Sequence, residues 1–257
     1  MPLNFCVVYE DEADAELASE LADRVILENT DWLTNDSFWL DSQRCWTKVA
    51  PTGRRLRWIE IDNLGRQMKL PVRRYEKWVS DRPDYRSAIR ALRVIKALFD
   101  EVAAVVLIRD VDDQVERLDG LKDARAHYYL NDGVSKVVVG VANTKRECWV
   151  LSGFDPSNDL ETNLLAEERQ FLGFNPVERP HELTAKHDEV NDKRSAKRVL
   201  KKLTQANFSR EQECWTDTPL STLRARGKSK GLTEYLDEVK EILVPLFIRP
   251  EGRREPA

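Results

Sequence analysis

The stretch Val105–Asp113 reads V-V-L-I-R-D-V-D-D: four apolar residues, an arginine, then Asp110, Asp112 and Asp113 around Val111. A short β-branched run bounded by charge is the pattern of a parallel strand buried on both faces. In open α/β sheets the chemistry collects just beyond the carboxyl ends of the strands, which is where these aspartates fall. On an extended chain Asp110 and Asp112 point to one side and Val111 to the other. Two carboxylates aimed at one point repel unless one takes a proton or a cation sits between them. A hard divalent ion, Mg²⁺ or Mn²⁺, prefers oxygen ligands of this kind.

Working outward, Asn4–Tyr9 (N-F-C-V-V-Y) reads as an earlier buried strand that closes at Glu10-Asp11-Glu12. Ala13–Leu27 has helical spacing, with Leu17, Leu21 and Val25 on one face. Asp84–Asp100 is a second helix, with Ile89, Leu92 and Ile95 as its buried stripe and Arg86, Arg90 and Arg93 on a neighbouring line. Gln114–Leu130 is helical, Lys136–Val141 is a third strand, and Arg146–Leu151 starts another helix. This alternation predicts an α/β fold: a doubly wound, mainly parallel, Rossmann-like sheet over residues 1–155. Leu56–Ile61 reads as a further strand, whereas the tryptophan-rich Asp31–Trp46 shows no period. After the turn Asp155–Asp159, helical patterns at Leu160–Phe171, Asp192–Leu203 and Leu232–Phe247 make residues 156–257 a helical appendage packed on the sheet.

Composition narrows the class. The 257 residues carry a net charge of −4, 41% hydrophobic and 33% charged residues. The four cysteines lie far apart, without the CxxC spacing of a zinc ribbon or a disulfide framework. No apolar run is long enough to span a bilayer and no charged-then-apolar leader opens the chain, so a cytoplasmic protein is expected. Ten glycines with no phosphate-cradling loop argue against an intrinsic ATPase. The charge is segregated: residues 1–53 carry a net −8, 54–96 a net +8, 97–170 a net −7 and 171–257 a net +3. An acidic centre beside basic surface suits a metal-dependent enzyme acting on a polyanion.

Three strand ends each deliver a carboxylate: Glu10 and Asp14 after the first, Asp110 and Asp112 after the central one, and Glu147 after the third. Capping accounts for any one acid at such a position, but not for a pair. A strand ending in Glu10 with Asp14 four positions on (Y-E-D-E-A-D), and a later strand ending Asp110-Val111-Asp112, resemble the Toprim domain of topoisomerases, primases and OLD-type nucleases. With Glu147-Cys148-Trp149 after the third strand and the basic turn Asp192-Lys193-Arg194, the closest likeness is to small Toprim proteins that stand beside ATPases in bacterial anti-phage systems. The likeness covers residues 4–152 in outline. The chain departs from it at Asp11, where the family has glycine. The wide gap between Glu10 and Asp110 implies an insertion at about residues 30–80.

That resemblance implies phosphodiester hydrolysis in DNA or RNA. Glu10, Asp14, Asp110, Asp112 and Glu147 would hold two divalent ions, roughly 3.5–4 Å apart in such sites. Arg117 and Lys193 would offset transition-state charge, and Arg86, Arg90, Arg93, Lys197, Arg198 and Lys201 would track the nucleic acid. It also implies an ABC- or SMC-type ATPase partner and allows a homodimer. Two rivals from other classes, a receiver-type signalling domain and a phosphatase, also place acids at strand ends. A receiver domain sets them much closer in sequence than Glu10 and Asp110. A haloacid-dehalogenase-type phosphatase carries D-x-D on its first strand, without the Asp113-Gln114 that follows here. A non-enzymatic Toprim-like subunit that binds an ATPase is the remaining alternative. Trp32, Trp39 and Trp46 would serve its interface if exposed.

Overall fold

The computed structural model describes residues 1–33, 37–48, 55–70, 80–99, 101–112, 114–131, 135–185 and 192–248. Among them are five strands: β1 (Leu3–Tyr9), β2 (Arg44–Trp46), β3 (Leu56–Arg57), β4 (Ala104–Asp110) and β5 (Lys136–Ala142). The sheet runs β2-β1-β4-β5, β3 extends the β2 side of β1, and each described pairing is parallel. The helices are α1 (Glu12–Glu28), α2 (Ser37–Gln43), α3 (Ile61–Gln67), α4 (Tyr85–Leu98), α5 (Arg117–Asn131), α6 (Arg146–Ser152), α7 (Asp159–Leu172), α8 (Ala196–Leu203), α9 (Phe208–Thr216), α10 (Leu220–Gly227) and α11 (Leu232–Ile242).

The long strands β1, β4 and β5 are mostly apolar because both faces are covered. Phe5, Val7, Tyr9, Ala104, Val106, Ile108 and Val138 point into a core shared with α1, α6 and the helices after residue 155. Cys6, Val8, Val105, Leu107, Val137, Val139 and Val141 point into a second core under α3, α4 and α5. In α4 the predicted stripe Ile89, Leu92 and Ile95 is buried against this second face. Asp11 caps α1 reciprocally: its carboxylate accepts from Ala13 N–H, and Asp14 accepts from Asp11 N–H at 2.8 Å. That capping box fixes where α1 leaves β1 and places Asp14 over the strand end.

Three sequence expectations change. Leu56–Ile61 is a strand for two residues only, because a 3₁₀ turn, Trp58–Glu60, and α3 follow at once. The region without periodicity contains α2 and then β2, which pairs with β1 from Leu3↔Arg44 to Phe5↔Trp46. Its tryptophans mostly serve the interior: Trp32 donates to Phe247 O at 2.8 Å and Trp46 to Asp23 at 3.1 Å, while Trp39 is 54% exposed. Asp192–Leu203 begins as a turn, and Ser195 caps α8 by accepting from Arg198 N–H at 3.2 Å. The patterns of α9 and α10 were too short to read from periodicity.

The chain after residue 155 enters the same core as β1 and α1. α11 lies between β5 and α1, with Tyr235 stacked on Trp149 (centroids 5.3 Å apart) and its hydroxyl donating to Ala18 O at 2.7 Å. Such a pair contributes about 1 kcal/mol beyond its buried area. Gly231, before α11, has φ +81°, and a Cβ there would stand 2.0 Å from Val141 O. No helix among the described residues is long and apolar enough to cross a membrane.

Candidate carboxylate centre at the end of the sheet

β4 positions the centre. Continuing its pleat, Asp110 falls on the Val106 and Ile108 side, facing α1 and α6, while Arg109 falls on the Leu107 side, facing α4 and α5. On the first side Asp110 Oδ1 accepts from the backbone N–H of Arg146 at 2.8 Å, in the first turn of α6. The Arg146 guanidinium reaches Asp14 (Nε to Oδ1, 3.4 Å) and Glu211 of α9 (3.4 Å). Glu147, the next residue of α6, is close enough to repel Asp110 electrostatically.

On the other side, Arg109 pairs with Glu10 and, at 3.2 Å, with Asp84. It lies over the Trp58 ring at 5.3 Å, and Trp58 donates to Ile108 O at 2.8 Å. Arg117 is buried; it reaches Asp84 at 2.7 Å and Asp112 at 3.1 Å, and donates to Asp110 O. Asp84 and Asp112 both have left-handed backbones, φ 61° and 49°. The extended alternation that put Asp110 and Asp112 on one side therefore stops at Asp110. Asp112 turns away, its N–H held by Thr144 O at 3.1 Å.

The five predicted carboxylates thus gather at one sheet end, split between its two faces. Burial, then Asp14, Glu147, Glu10 and Asp112 in that order, hold the Asp110 carboxyl well above the usual range. Burial, with Asp11 and Glu10, pushes Asp14 up to about 6 against the opposing pull of its hydrogen bond to Asp11 N–H and of Arg146. Among the described residues no three His, Cys, Asp or Glu side chains converge closely enough to chelate a cation as they stand. Arg109, Arg117 and Arg146 stand between them instead. The donor set is nonetheless chemically right for Mg²⁺ or Mn²⁺: hard oxygens only, with a negative field at Asp110 that a cation relieves.

The remaining predicted residues lie elsewhere. Arg86 pairs with Asp81 at 2.8 Å and Arg90 with Asp62 at 2.7 Å on the exposed side of α4, which also carries Arg93. Lys193 Nζ sits 4.9 Å over the Phe171 ring. Arg198 grips the buried Glu168 with two hydrogen bonds, 3.0 and 2.7 Å, while Lys197 and Lys201 lie on the same helix. Sequence reasoning missed Arg109, Asp84 and Arg146. Arg109 was legible as a charge placed one residue before a strand-end acid. Asp84 and Arg146 come from other elements and carry no local signal.

Fold and site define an α/β protein with a parallel sheet and an arginine-braced carboxylate centre at its carboxyl end. Comparison of the chain with protein-family models, with curated proteins and with solved structures gives no match.

Proposed function

We propose that this protein is a metal-dependent phosphodiesterase acting on nucleic acid, as its Toprim-like motifs imply. The observation that supports this reading best is that carboxylates from the other two strand ends and from the segment after β4 stand near enough to Asp110 to help hold its carboxyl well above the usual range. Glu10, Asp14, Asp110, Asp112 and Glu147 would hold Mg²⁺ or Mn²⁺. When bound, such ions activate water and neutralise charge on the phosphate oxygens. The protein's own part is positioning. Arg146 N–H fixes the Asp110 rotamer, and Arg117 ties the end of β4 to Asp84 and Asp112. Arg109 and Arg146, each now paired with carboxylates, can exchange those partners for phosphate oxygens, which their guanidinium geometry suits.

An ATPase partner in an anti-phage setting, in the cytoplasm, belongs to this proposal through the resemblance alone. A second reading is favoured by the ion pairs of Glu10 with Arg109 and Asp112 with Arg117. Carboxylates neutralised in this way suit a non-catalytic subunit that binds an ATPase.

The test is cleavage of labelled plasmid and tRNA with Mg²⁺ or Mn²⁺, with and without co-purified partner, for wild type, Asp110→Ala and Glu10→Ala. Metal-dependent cleavage abolished by both substitutions supports the enzyme and names its substrate. Cleavage that survives both, or is absent even with the partner, leaves the binding subunit.

A further inference from the structure

Among the described residues β5 is the last strand of the sheet, and its outer edge has no strand partner there. Much of that edge is sealed by side chains. Val137 N–H donates to Tyr129 O–H at 2.8 Å, and Val137 O accepts from Arg125 at 3.3 Å. Val139 N–H donates to Glu238 Oε2 at 2.9 Å, and that carboxylate also pairs with Arg125 at 2.7 Å. The Gly231 backbone presses against Val141 O. N–H and C=O groups of one residue leave a strand on the same side. The edge groups left over are therefore Val139 C=O and Val141 N–H, which make no hydrogen bond to the described residues.

The residues that carry them, Val139 and Val141, line a cleft of about 370 Å³ between α5 and α11. Val111, Leu118, Val139 and Val141 form apolar walls; Lys122 and Lys228 lie on the lining with Glu234. Neither lysine has an ion-pair partner among the described residues, and Val115 at the cleft is 82% exposed. Val111, which lines the cleft, is flanked in sequence by Asp110 and Asp112.

We propose that this cleft takes one nucleoside unit of the strand whose phosphate lies at the carboxylates, an inference that rests on the phosphodiesterase reading. A C=O and an N–H two residues apart on a strand edge match the adjacent donor and acceptor that every nucleobase presents on its pairing edge. The aliphatic walls cover the faces of the ring. Lys122 and Lys228 meet the flanking phosphates as unpaired cations. The volume falls within the range of small-ligand sites.

The test uses the full chain and AMP in the presence of EDTA, so that binding is read without turnover. Calorimetry should show AMP binding, with ribose 5-phosphate at least about tenfold weaker, a difference of about 1.4 kcal/mol. Lys122→Ala/Lys228→Ala and, independently, the cleft-filling Leu118→Trp should each weaken AMP by about tenfold or more. In amide spectra Val141 N–H should be among the most shifted. AMP that fails to bind at millimolar concentration, that binds Leu118→Trp and the double-lysine variant as wild type, or that binds no better than ribose 5-phosphate overturns the proposal. Binding as expected without any metal-dependent cleavage keeps the cleft and sinks the phosphodiesterase. Cleavage without AMP binding does the reverse.

Discussion

The backbone N–H of Arg146 donates to Asp110 Oδ1 at 2.8 Å, so the first turn of α6 is pinned to the end of β4 through the most perturbed carboxyl of the site. The same residue sends its guanidinium to Asp14 and Glu211. One arginine therefore links β4, α1, α6 and α9. Its counterparts on the other face of the sheet are Arg109 and Arg117, joined through Asp84. The ion-pair partners of these arginines are all carboxylates, so metal or phosphate entering the centre competes with ion pairs already made.

The metal-free protein should lose stability as pH rises through the titration of Asp14 and Asp110. Both carboxyls are raised in the fold, Asp14 from 3.8 to about 6. The folded state therefore binds more protons than the unfolded chain, and stability falls with rising pH from about pH 4 to beyond pH 6. The Asp14 shift alone corresponds to at most about 3 kcal/mol. Thermal melts in EDTA should give a higher Tm at about pH 5 than at pH 7.5, a gap narrowed in Asp14→Asn/Asp110→Asn. Millimolar Mn²⁺ should raise Tm more at the higher pH; an equal or absent rise at both would count against a metal at this centre.

Lys230 should prove a liability at neutral pH. It is fully buried and its Nζ has no hydrogen-bond partner among the described residues; burial lowers its pKa from 10.5 to about 8, against an upward pull from Cys148. For a base lowered in the fold, the unfolded chain holds the extra proton between those two values, so stability climbs with pH from about 8 to 10.5 and is lost below. Lys230→Met should gain about 2–3 kcal/mol at pH 7 in urea titrations, with the gain vanishing above about pH 10.5. An unchanged or lower midpoint at pH 7 would show that the ammonium has a partner after all.

Glu168 should behave as a buried anchor. It is 1% exposed, accepts two hydrogen bonds from Arg198 and one ion pair from Lys202 at 3.0 Å, and burial is outweighed so that its carboxyl is lowered. Glu168→Ala leaves the Arg198 charge half-buried and unpaired, which costs about 3 kcal/mol. Chemical denaturation reads the loss directly. A change below about 0.5 kcal/mol would mean that the pair is dispensable.

Gly231→Ala should destabilise by about 3 kcal/mol or more, since the added methyl meets a carbonyl and the backbone is left-handed. Gly173→Ala shares the left-handed φ of 83° but meets nothing within 4 Å, so it should cost only about 1 kcal/mol. Comparing the two midpoints separates steric from backbone strain; equal losses would put the Gly231 effect down to backbone alone.

Buried strands were legible where apolar runs are continuous, as in V-V-L-I of β4 and K-V-V-V-G-V of β5, because burial on both faces leaves no polar position to blur the pattern. The helices α1 and α4 were legible by their stripes. β2 was not: three residues, Arg44-Cys45-Trp46, gain their strand identity from pairing with β1 and have no periodicity of their own. The acids Glu10 and Asp110 were legible as candidates too, since they sit at the ends of the strands that carry them.

By itself the sequence determined the alternation of strands and helices and the acids at the strand ends, because both depend on neighbours along the chain. Only the tertiary structure decided which face each acid takes and which arginine meets it. The left-handed backbone at Asp112 breaks the alternation on which sequence reasoning relies. Arg109 meets Glu10, and Arg117 meets Asp84, across distances in sequence that no periodicity spans. The open edge of β5 and its cleft likewise exist only once α5 and α11 have packed beside it.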